Sequence, residues 1–292
     1  METNHQKKIA VINDLSGYGR CSLTVAIPIL SAMRIQCCPV PTSILSNHTG
    51  FPVWFFDDYT EKMENYLEKW KELSLSFDGI ATGFLGSEEQ IRIVLDMISY
   101  FRRKETKVIV DPIMGDNGKA YHTCTPKLCQ EMEKLVRLAD VATPNLTEAC
   151  ILTGKSYKSY GWSRKELLVL AQDVQKLGAK TVVITGVESL PKEGKKGSLT
   201  NVILEENGSI CFQRNQKSGK GRPGTGDVFS AVVAGAVVQE AKITDGVRLA
   251  AKFVKSCIKK SDELKIPGEN GVCFEELLPE FIFMCRKLAK TS

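Results

Sequence analysis

The feature that most constrains this 292-residue chain is an alternation. Short apolar runs ending on polar residues are followed repeatedly by segments with helical periodicity. Residues 8–13, 36–41, 78–82, 106–111, 140–142 and 181–185 read as buried strands. Between and after them, residues 20–33, 57–73, 87–103, 126–138, 146–153 and 163–177 place apolar side chains on one helix face. Pro28 is expected to kink the first helix. Ser163, with Glu166 three residues on, predicts a capping box for the sixth, which Gly178 ends. Residues 198–204 and 209–213 flank Glu206-Asn207-Gly208 as a β-hairpin. Residues 224–241, 244–260 and 274–290 close the chain as helices.

Repeated strand–helix units predict an α/β fold: an open, mostly parallel sheet with helices on both faces and a small β-hairpin extension. No internal repeat or low-complexity linker interrupts the pattern, and the polar stretch 192–197 is short enough to be a loop. Residues 1–292 are therefore expected to form a single domain. In such sheets ligands bind beyond the carboxyl ends of the strands, so residues just after strands are the first candidates for function.

Composition removes several function classes. The net charge of +5 is spread along the chain, with lysines clustered only at 192–196 and 255–260. No basic stretch is interleaved with aromatics, so no nucleic-acid partner is expected, whereas a mild positive balance suits an anionic nucleotide. The first residues do not read as a signal peptide, and no run reaches the ~20 apolar residues of a membrane span. The ten cysteines lack CxxC spacing; free thiols in a reducing, cytoplasmic setting are expected, not a zinc site. The signatures GxxxxGK[ST], the protein-kinase loops, GxSxG and HExxH are all absent.

Four segments carry candidate chemistry. Gly224-Thr225-Gly226-Asp227 opens a small-residue helix. Free amides at that helix end would attract phosphate oxygens. Asp227 would either cap the helix or take a proton from an attacking alcohol. Asp111 and Asp116, in Asp111-Pro112-Ile113-Met114-Gly115-Asp116, are either a strand-end and a turn aspartate or oxygen ligands for a hard cation. In Thr143-Pro144-Asn145-Leu146-Thr147-Glu148, Asn145 and Glu148 have the spacing of an ordinary cap, and could equally face metal-bound phosphates. Ser46-Asn47-His48-Thr49-Gly50-Phe51 with Trp54 is a polar turn beside aromatics that could hold a flat heteroaromatic ring, although His48, Phe51 and Trp54 could equally be structural.

Together, and in this order, these segments resemble the ribokinase-like superfamily, and within it the pyridoxal kinase branch. The resemblance spans almost the whole chain, with residues 12–19 similar to the family's first strand and substrate loop, and residues 46–51 similar to its branch-specific SNHTG segment. It implies ATP-dependent phosphorylation of the 5′-hydroxymethyl group of pyridoxal, pyridoxamine or pyridoxine. Asp227 would be the base, and the amides of Gly224, Thr225 and Gly226 the anion hole. Asp14, Ser16, Thr49, Phe51 and Phe84 would border the substrate ring. Asp111, Thr143, Asn145, Tyr121, Thr185 and Gly186 would lie along ATP, with Asp116 and Glu148 organising Mg²⁺. A potassium ion and a homodimer are further implied. One departure stands out: Asp14 occupies a position where many members carry serine, which bears on the substrate. Hydroxymethylpyrimidine kinase, of the same superfamily, is the nearest alternative. A non-catalytic B6-binding protein is a remote one, disfavoured because a pure binder needs none of Asp116, Glu148 and Asp227.

Overall fold

The computed structural model describes residues 6–189 and 197–288. The expected loop at 192–196 and the helix end at 289–290 lie outside the described residues. In chain order the elements are β1 (Lys8–Tyr18), α1 (Leu23–Ala32), β2 (Gln36–Asn47), β3 (Phe56–Asp58), α2 (Thr60–Glu72), β4 (Gly79–Thr82) and α3 (Glu88–Phe101). There follow β5 (Lys107–Val110), β6 (Gly115–Asp116), β7 (Lys119–Ala120), α4 (Pro126–Leu138), β8 (Val141–Ala142), α5 (Leu146–Thr153) and α6 (Arg164–Lys176). The chain then continues through β9 (Thr181–Ser189), β10 (Ser198–Leu204), β11 (Ile210–Gln216), α7 (Thr225–Val238), α8 (Ile243–Glu263) and α9 (Leu278–Leu288). The α/β fold with a mostly parallel sheet, flanking helices and an antiparallel hairpin is as expected.

The chain divides into two compact units. The first comprises 1–84, 96–107 and 218–292. Its strands run in the order β4-β1-β2-β3. β1 is parallel to both β2 and β4, and β3 is antiparallel to β2. Ile9, Ile12 and Ile80 are fully buried in this unit, as are Phe253 and Phe281, whose rings stack at 4.2 Å between α8 and α9. Each such side chain contributes roughly 1.5–3 kcal/mol of burial. The β1–β2 register slips between Asn13 and Leu15, opposite Pro41 and Ile44, so β2 carries one extra residue just where β1 turns polar.

The second unit comprises 85–95 and 108–217. Its order is β5-β8-β9-β10-β11, parallel up to β9 and antiparallel beyond it. β6 and β7 form a separate two-residue hairpin. A second bulge lies in β9, between the Thr200 and Val202 pairings of β10. The capping box of Ser163 and Glu166 forms as expected, and a second one joins Asn145 and Glu148.

Some boundaries differ from the sequence reading. Residues 20–22 are not helical, because Arg20 and Ser22 take positive φ values of 53° and 54°. Asp57 lies in strand β3, paired with Ile44, and α2 starts only at Thr60. The β6–β7 hairpin was not expected. All ten cysteines are free thiols, and among the described residues no helix is long and apolar enough to cross a membrane.

Candidate active site

In the first unit, chemistry gathers where β1 loses its apolar character. Asn13 is buried, and its side-chain oxygen accepts from the N–H groups of Asp14 (3.0 Å) and Phe84 (2.9 Å). The Asn13 amide donates in turn to Asp227, which also receives the N–H of Ser22. Asp14 is 7 % exposed and accepts from the hydroxyls of Ser16 (2.8 Å) and Ser22 (2.5 Å). Asp14 and Ser16, expected at the substrate ring, and Asp227, expected to be the base, thus share one hydrogen-bonded cluster. Asn13 and Ser22 hold it together and were not anticipated.

The turn before α7 explains why Asp227 sits there. Gly224 caps the helix with φ 80°, and a Cβ at that position would lie 2.0 Å from the carbonyl oxygen of Arg20. Only glycine permits both the left-handed backbone and the close approach. Asp227 is then the third residue of α7, at the positive end of the helix. The Thr225 N–H and hydroxyl both turn back to the Arg222 carbonyl, at 3.3 and 2.9 Å. Around Gly226, an added Cβ would meet nothing within 4 Å.

Burial pushes Asp227 from the usual 3.8 up to about 6, and the Asp14 charge adds to the rise; the Ser22 and Asn13 donors oppose it. Asp14 is raised mainly by burial, against the Ser22 and Ser16 hydroxyls. The neighbouring Cys21 thiol is pushed up to about 12 by burial and then by both carboxylates, so it stays protonated. A carboxylate that titrates near 6 is ionised at neutral pH yet has real affinity for a proton, which is what a general base requires.

The polar turn after β2 lies in the same unit. Gly50 N–H donates to His48 Nδ1 (3.0 Å), so Nε2 carries the proton and donates to the Glu269 carbonyl (2.8 Å). His48 and Phe51 rings pack at 4.7 Å, and Tyr18 and Phe51 at 5.6 Å. His48 is therefore a turn-holding residue. Phe51 is half-buried, Thr49 is exposed, and Trp54 is 50 % exposed instead of stacking in this group. Phe84 is fixed through its backbone, accepting the Thr42 hydroxyl at 3.1 Å.

The second unit holds the other candidates. Glu148 is 3 % exposed; one carboxylate oxygen accepts the Met114 N–H (3.2 Å) and the other the Asn145 N–H (2.7 Å). The Asn145 side-chain oxygen accepts the Glu148 N–H (2.9 Å), and its amide donates to the Gly115 carbonyl (2.8 Å). The ordinary capping reading of this pair is therefore correct. Burial raises Glu148 well above its usual value, and the charges of Asp111 and then Asp116 raise it further. Asp116 is exposed and accepts both donors of Asn117. Thr143 is 2 % exposed, and its hydroxyl oxygen has no hydrogen-bond partner among the described residues. Thr185 bridges to Asn145, and the Gly186 N–H at the β9 bulge is taken by the Asn201 side chain (3.1 Å), another residue not anticipated. The Tyr121 ring is exposed, while its N–H donates to the Met114 carbonyl (2.8 Å).

A buried carboxylate raised by two neighbouring carboxylates, with an orphaned buried hydroxyl in the same unit, fits a hard cation with a polyanion. Among the described residues no group of three or more His, Cys, Asp or Glu could by itself hold a metal ion. Mg²⁺ fits that pattern, since it keeps several waters and shares one or two carboxylates with substrate phosphates.

Residues 31–272 match the family model described as phosphomethylpyrimidine kinase. A protein of Bacteroides thetaiotaomicron, assigned as a phosphomethylpyrimidine kinase and crystallised with pyridoxal, is 36% identical, with a TM-score of 0.89 over 95% of this chain and 96% of that one. Pyridoxal kinase from Lactobacillus plantarum is 25% identical, with a TM-score of 0.86 over 97% of this chain and 99% of its own. The pyridoxine/pyridoxal/pyridoxamine kinase of Bordetella avium is 26% identical over 87% of this chain and 86% of that protein.

Proposed function

The chain belongs to the phosphomethylpyrimidine kinase family, and from that premise we propose that it transfers the γ-phosphoryl group of ATP to the 5′-hydroxymethyl group of pyridoxal, pyridoxamine and pyridoxine. The observation that carries the reaction is Asp227, a carboxylate raised to about 6 at the positive end of α7, behind a glycine turn. The substrate class is supported by the 36% identity to a protein crystallised with pyridoxal.

In this reading each residue has a role. A primary alcohol is a poor nucleophile until its proton has somewhere to go, and general base catalysis contributes ~10²–10⁴-fold. Asp227 accepts that proton, held in place by Asn13 and Ser22. Amides of Gly224, Thr225 and Gly226 face the transferring phosphoryl oxygens; the long Thr225 bond to Arg222 opens for this. Asp14, Ser16, Thr49, Phe51 and Phe84 border the ring. Asp14 favours a protonated pyridine nitrogen or an amine over electron-rich groups. Thr143, Asn145, Asp111, Tyr121, Thr185 and Gly186 serve the nucleotide, the Thr143 hydroxyl meeting a phosphate oxygen. Asp116 and Glu148 would hold Mg²⁺, which when bound would supply neutralisation of charge on the phosphates. A potassium ion, a homodimer, a cytoplasmic location and the action of residues 1–292 as one catalytic domain belong to the same reading.

The test is ADP release with MgATP and K⁺, offering the three B6 compounds and hydroxymethylpyrimidine separately, beside Asp227→Ala. Turnover of the B6 compounds that collapses in the variant is expected. The family description itself favours a second reading, a hydroxymethylpyrimidine kinase; turnover confined to that pyrimidine would establish it instead. Ligand binding without ADP production would indicate a binding protein.

A further inference from the structure

Ser22 directly precedes α1, where serine is among the best helix caps, its hydroxyl accepting an N–H two or three residues on. The Ser22 side chain makes no such bond. Its hydroxyl donates to Asp14, and its N–H donates to Asp227. Only its carbonyl serves the helix, accepting from Val25 (3.1 Å) and Ala26 (2.9 Å). This division of labour requires φ 54° and ψ −130°, a backbone conformation that belongs essentially to glycine.

The surroundings hold the strained segment in place. The Arg20 carbonyl oxygen lies 2.0 Å from where a Cβ of Gly224 would stand, and the Gly19 carbonyl oxygen 2.2 Å from that of Gly271. Arg20 itself is fastened to Glu275 (2.7 Å) and to the Asn270 carbonyl (3.0 Å). If residue 22 served only to turn the chain, glycine would do so without strain. What serine adds is the hydroxyl, and that hydroxyl is spent on Asp14.

We infer that Ser22 is a positioning residue that fixes two carboxylates relative to each other, directing Asp227 through its N–H and Asp14 through its hydroxyl. The inference rests on the reading of Asp227 as the base. With the Asn13 amide and the Ser22 N–H both donating, the Asp227 carboxylate is not free to turn away from a substrate hydroxyl. Small errors in such geometry are costly to rate, because the reacting atoms must be presented in line.

The experiment compares Ser22→Gly, Ser22→Ala and Asp227→Ala with the wild-type full chain. It measures kcat, KM for pyridoxal and for MgATP, and the denaturation midpoint. Ser22→Gly and Ser22→Ala both lose the hydroxyl bond to Asp14, but only Ser22→Gly relieves the backbone strain, so its midpoint is expected above that of Ser22→Ala. The kcat of Ser22→Gly is expected to fall about tenfold or more, with KM for MgATP within about twofold. Ser22→Ala keeps the strain and loses the hydroxyl, so it loses rate without gaining stability. Wild-type kcat in Ser22→Gly, with Asp227→Ala inactive, overturns this inference alone. A Ser22→Gly variant no more stable than Ser22→Ala overturns the strain argument. Wild-type turnover in Asp227→Ala overturns the base assignment and this inference with it.

Discussion

An ionised Asp227 costs the fold free energy, because its pKa moves from the usual 3.8 to about 6 on folding. At 1.36 kcal/mol per unit, that shift corresponds to roughly 3 kcal/mol at neutral pH. The sign follows from linkage: the folded chain holds the proton more tightly than the unfolded one, so stability falls as pH rises from 3.8 to about 6 and is level above that. Asparagine carries no charge and escapes the cost. It accepts only one of the two donors, Ser22 N–H and the Asn13 amide, which takes back about 1 kcal/mol or more. Asp227→Asn is therefore expected to be about 1–2 kcal/mol more stable than wild type at pH 7. It should lose ~10²–10⁴ in kcat. Urea denaturation of both proteins across acid and neutral pH, with kcat measured in parallel, checks this. The stability difference should change by roughly 3 kcal/mol between pH 3.8 and about 6, with wild type the more stable of the two at lower pH. A gap independent of pH would show that the carboxylate is not destabilised by burial, and retained turnover would remove it from the chemistry.

Other perturbations test the remaining parts. Glu148→Gln keeps one acceptor for the two N–H groups of Met114 and Asn145 and removes the charge; it is expected to raise the half-saturating Mg²⁺ concentration about tenfold, and an unchanged Mg²⁺ titration would refute the cation role. Gly224→Ala combines φ 80° with a Cβ 2.0 Å from the Arg20 carbonyl oxygen, so a loss of ~2 kcal/mol or more in unfolding free energy is expected, with loss of turnover. Asn145→Ala removes the α5 cap and the bond to Gly115 and is expected to cost about 1–2 kcal/mol in denaturant unfolding. Asp14→Ser is expected to reorder kcat/KM among pyridoxal, pyridoxamine and pyridoxine; an unchanged ranking would argue against any role for Asp14 in choosing the substrate.

What could be read from the sequence divides along a physical line. Local signals were sufficient for α4 and α5, whose bounds agree with the expectation, and for the Ser163 capping box, since caps and periodicity act within a few residues. Strand ends were not legible. β1 runs on to Tyr18 and β2 to Asn47 because they pair with each other, a bond between residues about 30 positions apart that no local window contains. The same applies to β3, which exists only because Phe56, Asp57 and Asp58 find partners in β2. Glycine motifs announced the Gly224 turn, but not what presses on it, since Arg20 is remote in sequence. Asn145 and Glu148 show that a local reading can be right without excluding another. Their cap is present, and the same carboxylate sits buried among Asp111 and Asp116. Ser22 shows the opposite case. Its position before α1 signals a cap, yet its hydroxyl goes to Asp14, and a long-range polar cluster outweighs both the local preference and the strain on the backbone. A residue whose local signal names one task while its hydrogen bonds perform another is where sequence reasoning is most exposed. For the same reason, Ser22→Gly is expected to lose rate while remaining more stable than Ser22→Ala.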